Sequence, residues 1–530
     1  MKNESKEREN GFPLTEKSTI FFIPFYQNAK QRLDVLDSAQ SLWVKEEDVL
    51  TDEHEGNVIY PHIMSFLQGQ MTLPSTEHQS SLQIYSIANS NRQSGNQRTI
   101  IKKFWNKFAQ SSHSVEVGDP KSPRSLSFRF IQGTNSLLNP HLFIYPTAGI
   151  GILSFAVTLT TENATSKDLK LMNYHLRKLF HPLAKCVCHD LSLRGNEKPE
   201  VLEAKTNAFN QARTYIGEHT IPRNKRGEEK DNEPLEFSWD MLSLCHTLLK
   251  DVQGTITLFS PSRAHIFTFA TIDDSDTNTY TNNDVMEELY SLSRGVNDKY
   301  MLSESKINPA TDILQTFENV QLSTCVEGTA FVAIMKPDNK EFFRLFRNTI
   351  SIRYFWIYLL AMLQRYSLLN MDRILTNLSF SGTSEPDSVQ RHNELLWCYL
   401  GAIQEVKVRC HFTDISPFTQ HNEFYHFCCD KLHVNIAYDE IDKKTKALNL
   451  TISHDMQLLH EEEVRQQEKR DHNLNLFLGI LAALQAIGII YDFAYALLFN
   501  HDYCSSALYL GLIVLAVIMM IWLYAAKKKK

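Results

Sequence analysis

The chain has 530 residues, 43% apolar and 22% charged, a balance ordinary for folded protein and a length sufficient for roughly two to four domains. Its 54 basic and 61 acidic residues leave a formal net charge of -7, which excludes a broad basic face for a nucleic-acid backbone, so no direct nucleic-acid binding is expected. Nine cysteines, odd in number and without a framework spacing, suit a reducing compartment.

Met1 to Glu16 is charged and lacks the apolar core of a secretory signal, so the soluble part is expected to stay in the cytoplasm. Thr19 to Tyr26 (TIFFIPFY) and Leu82 to Ile87 read as strands, being short apolar runs rich in aromatic and β-branched residues. Leu142 to Thr160 reads as two strands around a Pro/Gly turn, followed by a Ser/Thr-capped helix from Ser166 to Phe180. Ile256 to Ile272 with Asn283 to Arg294 repeats that order, and Val320 to Ile334 with the helix from Asn339 forms a third case. Internal duplication is one reading; the other is that strand-turn-strand-helix is common. Asn89 to Gln97 and Arg194 to Pro234 are polar and read as loops or linkers. After Asn339 the pattern turns helical, and Tyr354 to Leu363, ten apolar residues between Arg353 and Gln364, is too short to cross a bilayer and fits a buried helix.

Motifs for chemistry are sparse. Neither G-x-x-x-x-G-K-[ST] nor G-x-G-x-x-G occurs, and Gly149-Ile150-Gly151 reads as a hairpin turn. Cys186-Val187-Cys188-His189, with His181 upstream, has metal-capable residue types without a second pair at zinc spacing; His421, His426, Cys428 and Cys429 sit on an apparently helical aromatic segment. No metal site and no resident cofactor are expected. With no nucleophile elbow either, catalysis has no positive support, and the domain is better read as a sensor than as an enzyme.

The C-terminal region is more explicit. Asp439 to His472 contains no Pro or Gly, and Ile441, Leu448, Ile452 and Leu459 form an a/d-like stripe, so a stalk helix is expected. Leu476 to Phe499 and Ala507 to Ala526 are each long and apolar enough to span hydrocarbon, which needs about 20 residues. Arg465, Lys469 and Arg470 precede the first span, Lys527 to Lys530 follow the second, and the connector Asn500 to Ser506 has no Lys or Arg; the positive-inside rule puts both flanks in the cytoplasm. Gln485 and Asp492, seven apart, share a helix face with Leu478 and Phe499. A carboxylate in lipid costs roughly 2.5 to 3.5 kcal/mol, so Asp492 should face protein or water. A ring of such residues in an oligomer attracts cations; the other reading has Asp492 pairing or snorkelling within one subunit.

A long amphipathic helix running into a first span, a short outer loop, a second span and a closing Lys cluster resemble the CorA family of divalent-cation channels over about the last 90 residues, with Leu474-Asn475-Leu476 opening the span and Lys527 to Lys530 ending it. The resemblance implies a homo-oligomer, pentameric in that family, in a bacterial inner membrane. CorA channels carry Gly-Met-Asn at the outer end of the first span; here stands Leu498-Phe499-Asn500, where Asn500 is left to align and the bulky apolar pair argues against a standard magnesium filter. Gln485, Asp492, Phe499 and Asn500 are therefore the pore-lining candidates. Among CorA relatives the design is most similar to the CorA-type effectors of type III CRISPR systems, whose cytoplasmic domain answers a nucleotide second messenger, in some cases a conjugate of S-adenosylmethionine and AMP.

The expected architecture is thus an α+β cytoplasmic sensor domain (1–338), a helical cytoplasmic region (339–438), a stalk helix (439–475) and two transmembrane helices (476–499 and 507–526). The expected function is a channel gated by an adenine-nucleotide ligand. The alternatives are a constitutive or self-regulated magnesium transporter and a membrane-tethered scaffold without a pore.

Overall fold

A computed structural model describes residues 11–27, 42–46, 59–67, 82–87, 105, 108–119, 122–132, 137–179, 186–189, 237–252, 256–260, 262–273, 282–296, 308–336, 338, 340–344, 346–378, 386–499 and six positions between 510 and 517. The first half of the chain supplies β1 (Leu14–Gln27), β2 (Trp43–Lys45), α1 (Pro61–Leu67), β3 (Gln83–Ile87), β4 (Ser112–Asp119), β5 (Ser122–Phe130), β6 (His141–Tyr145), β7 (Ile150–Leu159), α2 (Ser166–Leu176), β8 (Cys186–His189), β9 (Phe237–Trp239) and α3 (Met241–Leu249). The second half supplies β10 (Ile256–Leu258), β11 (His265–Asp273), α4 (Asn282–Arg294), α5 (Pro309–Asp312), β12 (Ile313–Phe317), β13 (Val320–Cys325), β14 (Gly328–Met335), α6 (Lys340–Arg344), α7 (Phe346–Leu378), α8 (Pro386–Cys410), α9 (Thr419–Lys431) and α10 (Val434–Phe499). The chain divides into two compact units, Met1–Gly382 with Glu394–Thr445, and Thr383–Asn393 with Lys446–Lys530.

The first unit is α+β with a mixed sheet. Its order is β12-β13-β14-β11-β1-β7-β5-β4-β8-β9; β10 also pairs β1, and β6, β3 and β2 branch from β7. Every described pairing is antiparallel except that of β11 with β14, which α4 and the chain beyond it separate in sequence.

β1 is the spine because its apolar residues leave neither face polar. From Ser18 to Phe25 every residue is buried. One face turns Phe21, Ile23 and Phe25 into a core shared with Leu169 and Met172 of α2 and Leu289 of α4. The opposite face turns Phe22 against α7, with ring centroids 5.4 Å from Phe355 and 5.6 Å from Tyr358. Phe267 of β11 stacks on the same Tyr358 at 5.3 Å. The segment Tyr354 to Leu363 is the centre of this buried helix, fully buried from Phe355 to Leu363.

Local signals agree with the elements they start. The amide of Thr165, the N-cap of α2, donates to Asp168 Oδ2 at 3.0 Å, and Arg124 Nη1 meets the same carboxylate at 2.7 Å. β6 and β7 form the expected hairpin around Pro146 to Gly149. Gly151 then faces Phe25 of β1, whose ring occupies the space a Cβ would need.

The second strand pair departs from expectation. β10 and β11 do not pair with each other; both pair with β1, at Phe25 to Gln27 and at Leu14 to Phe22. The first and third strand-strand-helix arrangements contain hairpins, β6–β7 and β13–β14, and the second does not. Pro24 explains the interruption. Its carbonyl accepts from Phe259 N at 3.1 Å, so the position where its N–H would point lies on the edge where the β10 ladder gives way to that of β11. A proline in a central strand thus loses no ladder bond.

Of the helices after residue 338, α6, α7, α8 from Glu394, α9 and the start of α10 as far as Thr445 belong to the same compact unit as the sheet, and α7 packs on it directly. The stalk and first-span segments expected from 439 to 499 lie within the single helix α10. Among the described residues one helix stretch is long and apolar enough to cross a membrane, Met456–Asp492 of α10, with a mean hydropathy of 2.0 and none of that window buried. The second expected span lies largely outside the described residues, where only Leu510, Gly511, Ile513 to Leu515 and Val517 are described, as helical. The polar stretches Asn89 to Gln97 and Arg194 to Pro234 also lie outside them.

If the two-faced burial of β1 carries the fold, Phe22→Ala lowers stability by about 3–5 kcal/mol, the usual cost of emptying a fully buried phenyl site. Urea unfolding of the detergent-solubilised chain measures it; a loss under about 1 kcal/mol contradicts the packing described.

Candidate functional site

Two regions stand out by their residue chemistry. In α10, Gln485 and Asp492 are exposed and seven residues apart, hence on one helix face. Their neighbours Leu484, Ile487 and Tyr491 are 62%, 61% and 69% exposed, so the adjoining circumference is apolar and without cover among the described residues. Such a surface calls for hydrocarbon or other subunits, with the polar face reserved for water or protein. Phe499 is the last residue of α10, and Asn500 lies outside the described residues.

The second region was hidden in the sequence. Where β1 changes partners, Phe259 and Ser260 after β10 and Arg263 to His265 at the start of β11 border a cavity of about 260 Å³. Three arginines line it, Arg177, Arg263 and Arg365, and Glu327 is the one carboxylate residue among the described residues of its lining. Arg177 follows α2 and is 2% exposed, while Arg263 is exposed. Gly295, at φ +52°, ends α4 and leaves room for Arg177, since a Cβ there would lie 2.9 Å from its Nη1. The two inner guanidinium groups are held by backbone carbonyls, Arg177 Nη1 donating to Arg294 O and Arg365 Nη1 to Leu432 O.

Burial, with Arg263 adding to it, holds the Arg177 guanidinium below its usual range, and Glu327 partly opposes this. One aromatic wall completes the cavity: Phe259 and Tyr366 have centroids 4.7 Å apart, and His265 meets Tyr366 edge-on at 5.5 Å with its Nε2 bonded to the phenol oxygen. The His265 Nδ1 and Arg365 Nε atoms are buried and without a hydrogen-bond partner among the described residues. The excess of positive charge among the cavity's described lining residues makes this a place to hold an anion. Its volume is slightly below the roughly 300–1,000 Å³ of whole-ligand sites, so it matches an anionic group and its nearest atoms.

Arg365 links the lining of the cavity to the chain just before α10 through its bond to Leu432 O. Leu432 closes α9, His433 takes a left-handed φ of +56°, and α10 begins at Val434. The first turns of α10 are fastened by Lys444 to Asp372 of α7 and by Asp442 to Lys407 of α8 at 2.8 Å. These pairs are part-exposed and contribute about 0–1 kcal/mol each. Ile441, from the expected apolar stripe, is 1% exposed and anchors the same base. Leu448 is half-buried, whereas the side chains of Ile452 and Leu459 lie outside the described residues.

The remaining metal-capable residues are spread through structural positions. Cys186 and Cys188 point from β8 into the core, where burial pushes both thiols up, that of Cys188 to about 12, and His189 Nε2 pairs with Ser114 Oγ at 2.5 Å. His421 Nδ1 meets Ser416 Oγ at 3.1 Å, Cys428 and Cys429 are buried, and His426 lies 3.8 Å from Asp414. Among the described residues no group of three or more His, Cys, Asp or Glu is arranged to hold a metal ion.

Burial pushes the imidazoles of His113, His265 and His421 down from an ordinary 6.5 to about 4, about 3 and about 4, with Arg365 and Arg177 adding to the effect at His265. The folded chain keeps them neutral while the unfolded chain takes up protons below pH 6.5. Their burial is therefore neutral above that value and lowers stability as pH falls from 6.5 toward 4. The urea midpoint should be lower at pH 5 than at pH 7, and His265→Asn should narrow the difference; an unchanged difference in the variant contradicts a neutral buried His265. Compared with known protein families, characterised proteins and solved structures, the chain shows no match.

Proposed function

We propose that the chain is one subunit of an oligomeric, CorA-like membrane channel, an effector gated by a cytoplasmic adenine-nucleotide second messenger such as the S-adenosylmethionine–AMP conjugate of type III CRISPR antiviral defence. The observation that carries the reading is α10, a single helix containing both Ile441, buried in the α+β unit, and an apolar stretch with none of its window buried. A ligand preferring one arrangement of the α+β unit acts on the residues that begin this helix. Moving a two-state equilibrium from 1:99 to 99:1 takes about 5.5 kcal/mol of differential affinity, within reach of a multiply charged ligand.

In this reading a second span follows over 507–526, both flanks are cytoplasmic at the bacterial inner membrane, and homo-oligomers, pentamers by the resemblance, surround a common axis. Oligomerisation is required because two helices enclose no lumen. Gln485 and Asp492 then face water, with Phe499 and Asn500 at the outer mouth. Asp492 stays charged there without entering hydrocarbon and favours cations.

The full chain reconstituted in liposomes should release cations when adenine nucleotide is added on the side of the α+β unit and remain closed without it. Asp492→Asn should lower that flux about tenfold, the rate equivalent of about 1.4 kcal/mol. Magnesium flux independent of nucleotide would identify a constitutive transporter instead. Absence of flux under every condition, from a chain that is monomeric by mass, would favour a scaffold.

A further inference from the structure

The cavity beside β11 concentrates charge that the chain itself leaves uncompensated. Among the described residues, three arginines against one carboxylate give its lining two positive charges in excess. Arg177 is almost wholly buried, and its described hydrogen bond goes to a neutral carbonyl. Glu327 offsets only part of the charge on the buried Arg177, and a lining assembled from four separate segments leaves a place for an anion to balance the rest. Planar guanidinium forks match the oxygens of a phosphate better than a lone carboxylate. The Phe259 and Tyr366 rings, tilted at 52° to each other, put aromatic side chains beside the arginines in the same lining.

The geometry points to this cavity as the site of a phosphate-bearing ligand, held directly by Arg177, Arg263 and Arg365, whose occupancy is passed to α10 by Arg365. Arg365 has two claims on it. It lines the cavity and also donates to Leu432 O, the carbonyl at which α9 ends one residue before the left-handed His433. A phosphate oxygen accepts more strongly than a backbone carbonyl, so a bound ligand draws the guanidinium away. The corner between α9 and α10 then loses the bond across it, leaving the part-exposed pairs of Lys444 and Lys407 with a larger share of holding the helix base. The coupling is reciprocal: the Leu432 bond competes with the ligand, and ligand competes with it.

The binding half of this inference stands without a membrane function; the transmission half rests on the ligand-gated reading above. Both are read on the full detergent-solubilised chain, with inorganic pyrophosphate, AMP and ATP as probes. Calorimetry should find at least one probe bound, weakened by added salt. Arg263→Met, at an exposed position, should weaken binding at least tenfold, as should Arg177→Met if it folds. Hydrogen exchange over residues 430–440 should rise when the probe binds wild-type chain. In Arg365→Met it should be raised already and respond little to probe, whereas Arg263→Met should leave the unliganded level unchanged. If no probe binds, or if binding is indifferent to Arg263 and Arg365, the site is wrong. Binding with no change over residues 430–440 overturns the role of Arg365. Binding and exchange as expected, with liposomes that never conduct, would instead remove the channel reading and leave the site.

Discussion

A strand apolar on both faces cannot lie at a surface, and β1, buried from Ser18 to Phe25, imposes that condition on everything around it. Helices must cover both sides of the sheet: α2 and α4 over Phe21 and Phe25, α7 over Phe22. Long neighbours must pair both edges, and β7 fills one edge continuously. On the other edge Pro24 removes a donor, so the ladder divides between β10 and β11. The cavity opens where the chain crosses that division. The same residue choice that keeps a proline tolerable in a central strand therefore brings Phe259, Ser260 and Arg263 to His265 beside Arg177 and Arg365.

Polar groups inside this unit are treated in two ways. Under the sheet, Thr19 Oγ1 donates to Asn173 Oδ1 at 2.8 Å, and Asn173 Nδ2 donates to Thr268 Oγ1 at 2.9 Å, a buried set whose members satisfy one another. Such a network fixes the register of β1, β11 and α2. Around the cavity the donors outnumber the acceptors, and His265 Nδ1 and Arg365 Nε remain without partners among the described residues. Unpartnered buried atoms also occur away from the cavity, at Gln321, Trp356 and Tyr358 among others, so it is the arginine charge and not the missing bonds that distinguishes the cavity.

Much of the fold was legible because its signals are local. Aromatic and β-branched runs marked β1, β6, β7, β13 and β14, and the ten apolar residues from Tyr354 marked a buried helix rather than a span because the run was too short. Pairing was less legible. Pro146 to Gly149 closes a tight turn, so β6 and β7 meet, but the longer connection from Phe259 to Ala264 allows β10 and β11 to reach β1 separately. The arginine cavity carried no local signal: residues 177, 263 and 365 lie more than 80 positions apart and come together only through the sheet. Gln485 and Asp492 stood out for the opposite reason, as polar residues within an apolar helix.

α10 joins these two kinds of information, its base set among packed residues and its later turns apolar and without cover among the described residues. The account's central claim is that those later turns cross a bilayer with the Gln485 and Asp492 face toward water. Single cysteines placed in turn from residue 476 to residue 495, in membranes holding the full chain and probed with a small water-soluble thiol reagent, test it most directly. The account predicts reaction in a helical rhythm, at Ala482, Gln485, Ile489 and Asp492, with protection elsewhere. Reaction all around the helix would place it in water and contradict the claim, as would protection of every position, which would leave no aqueous face.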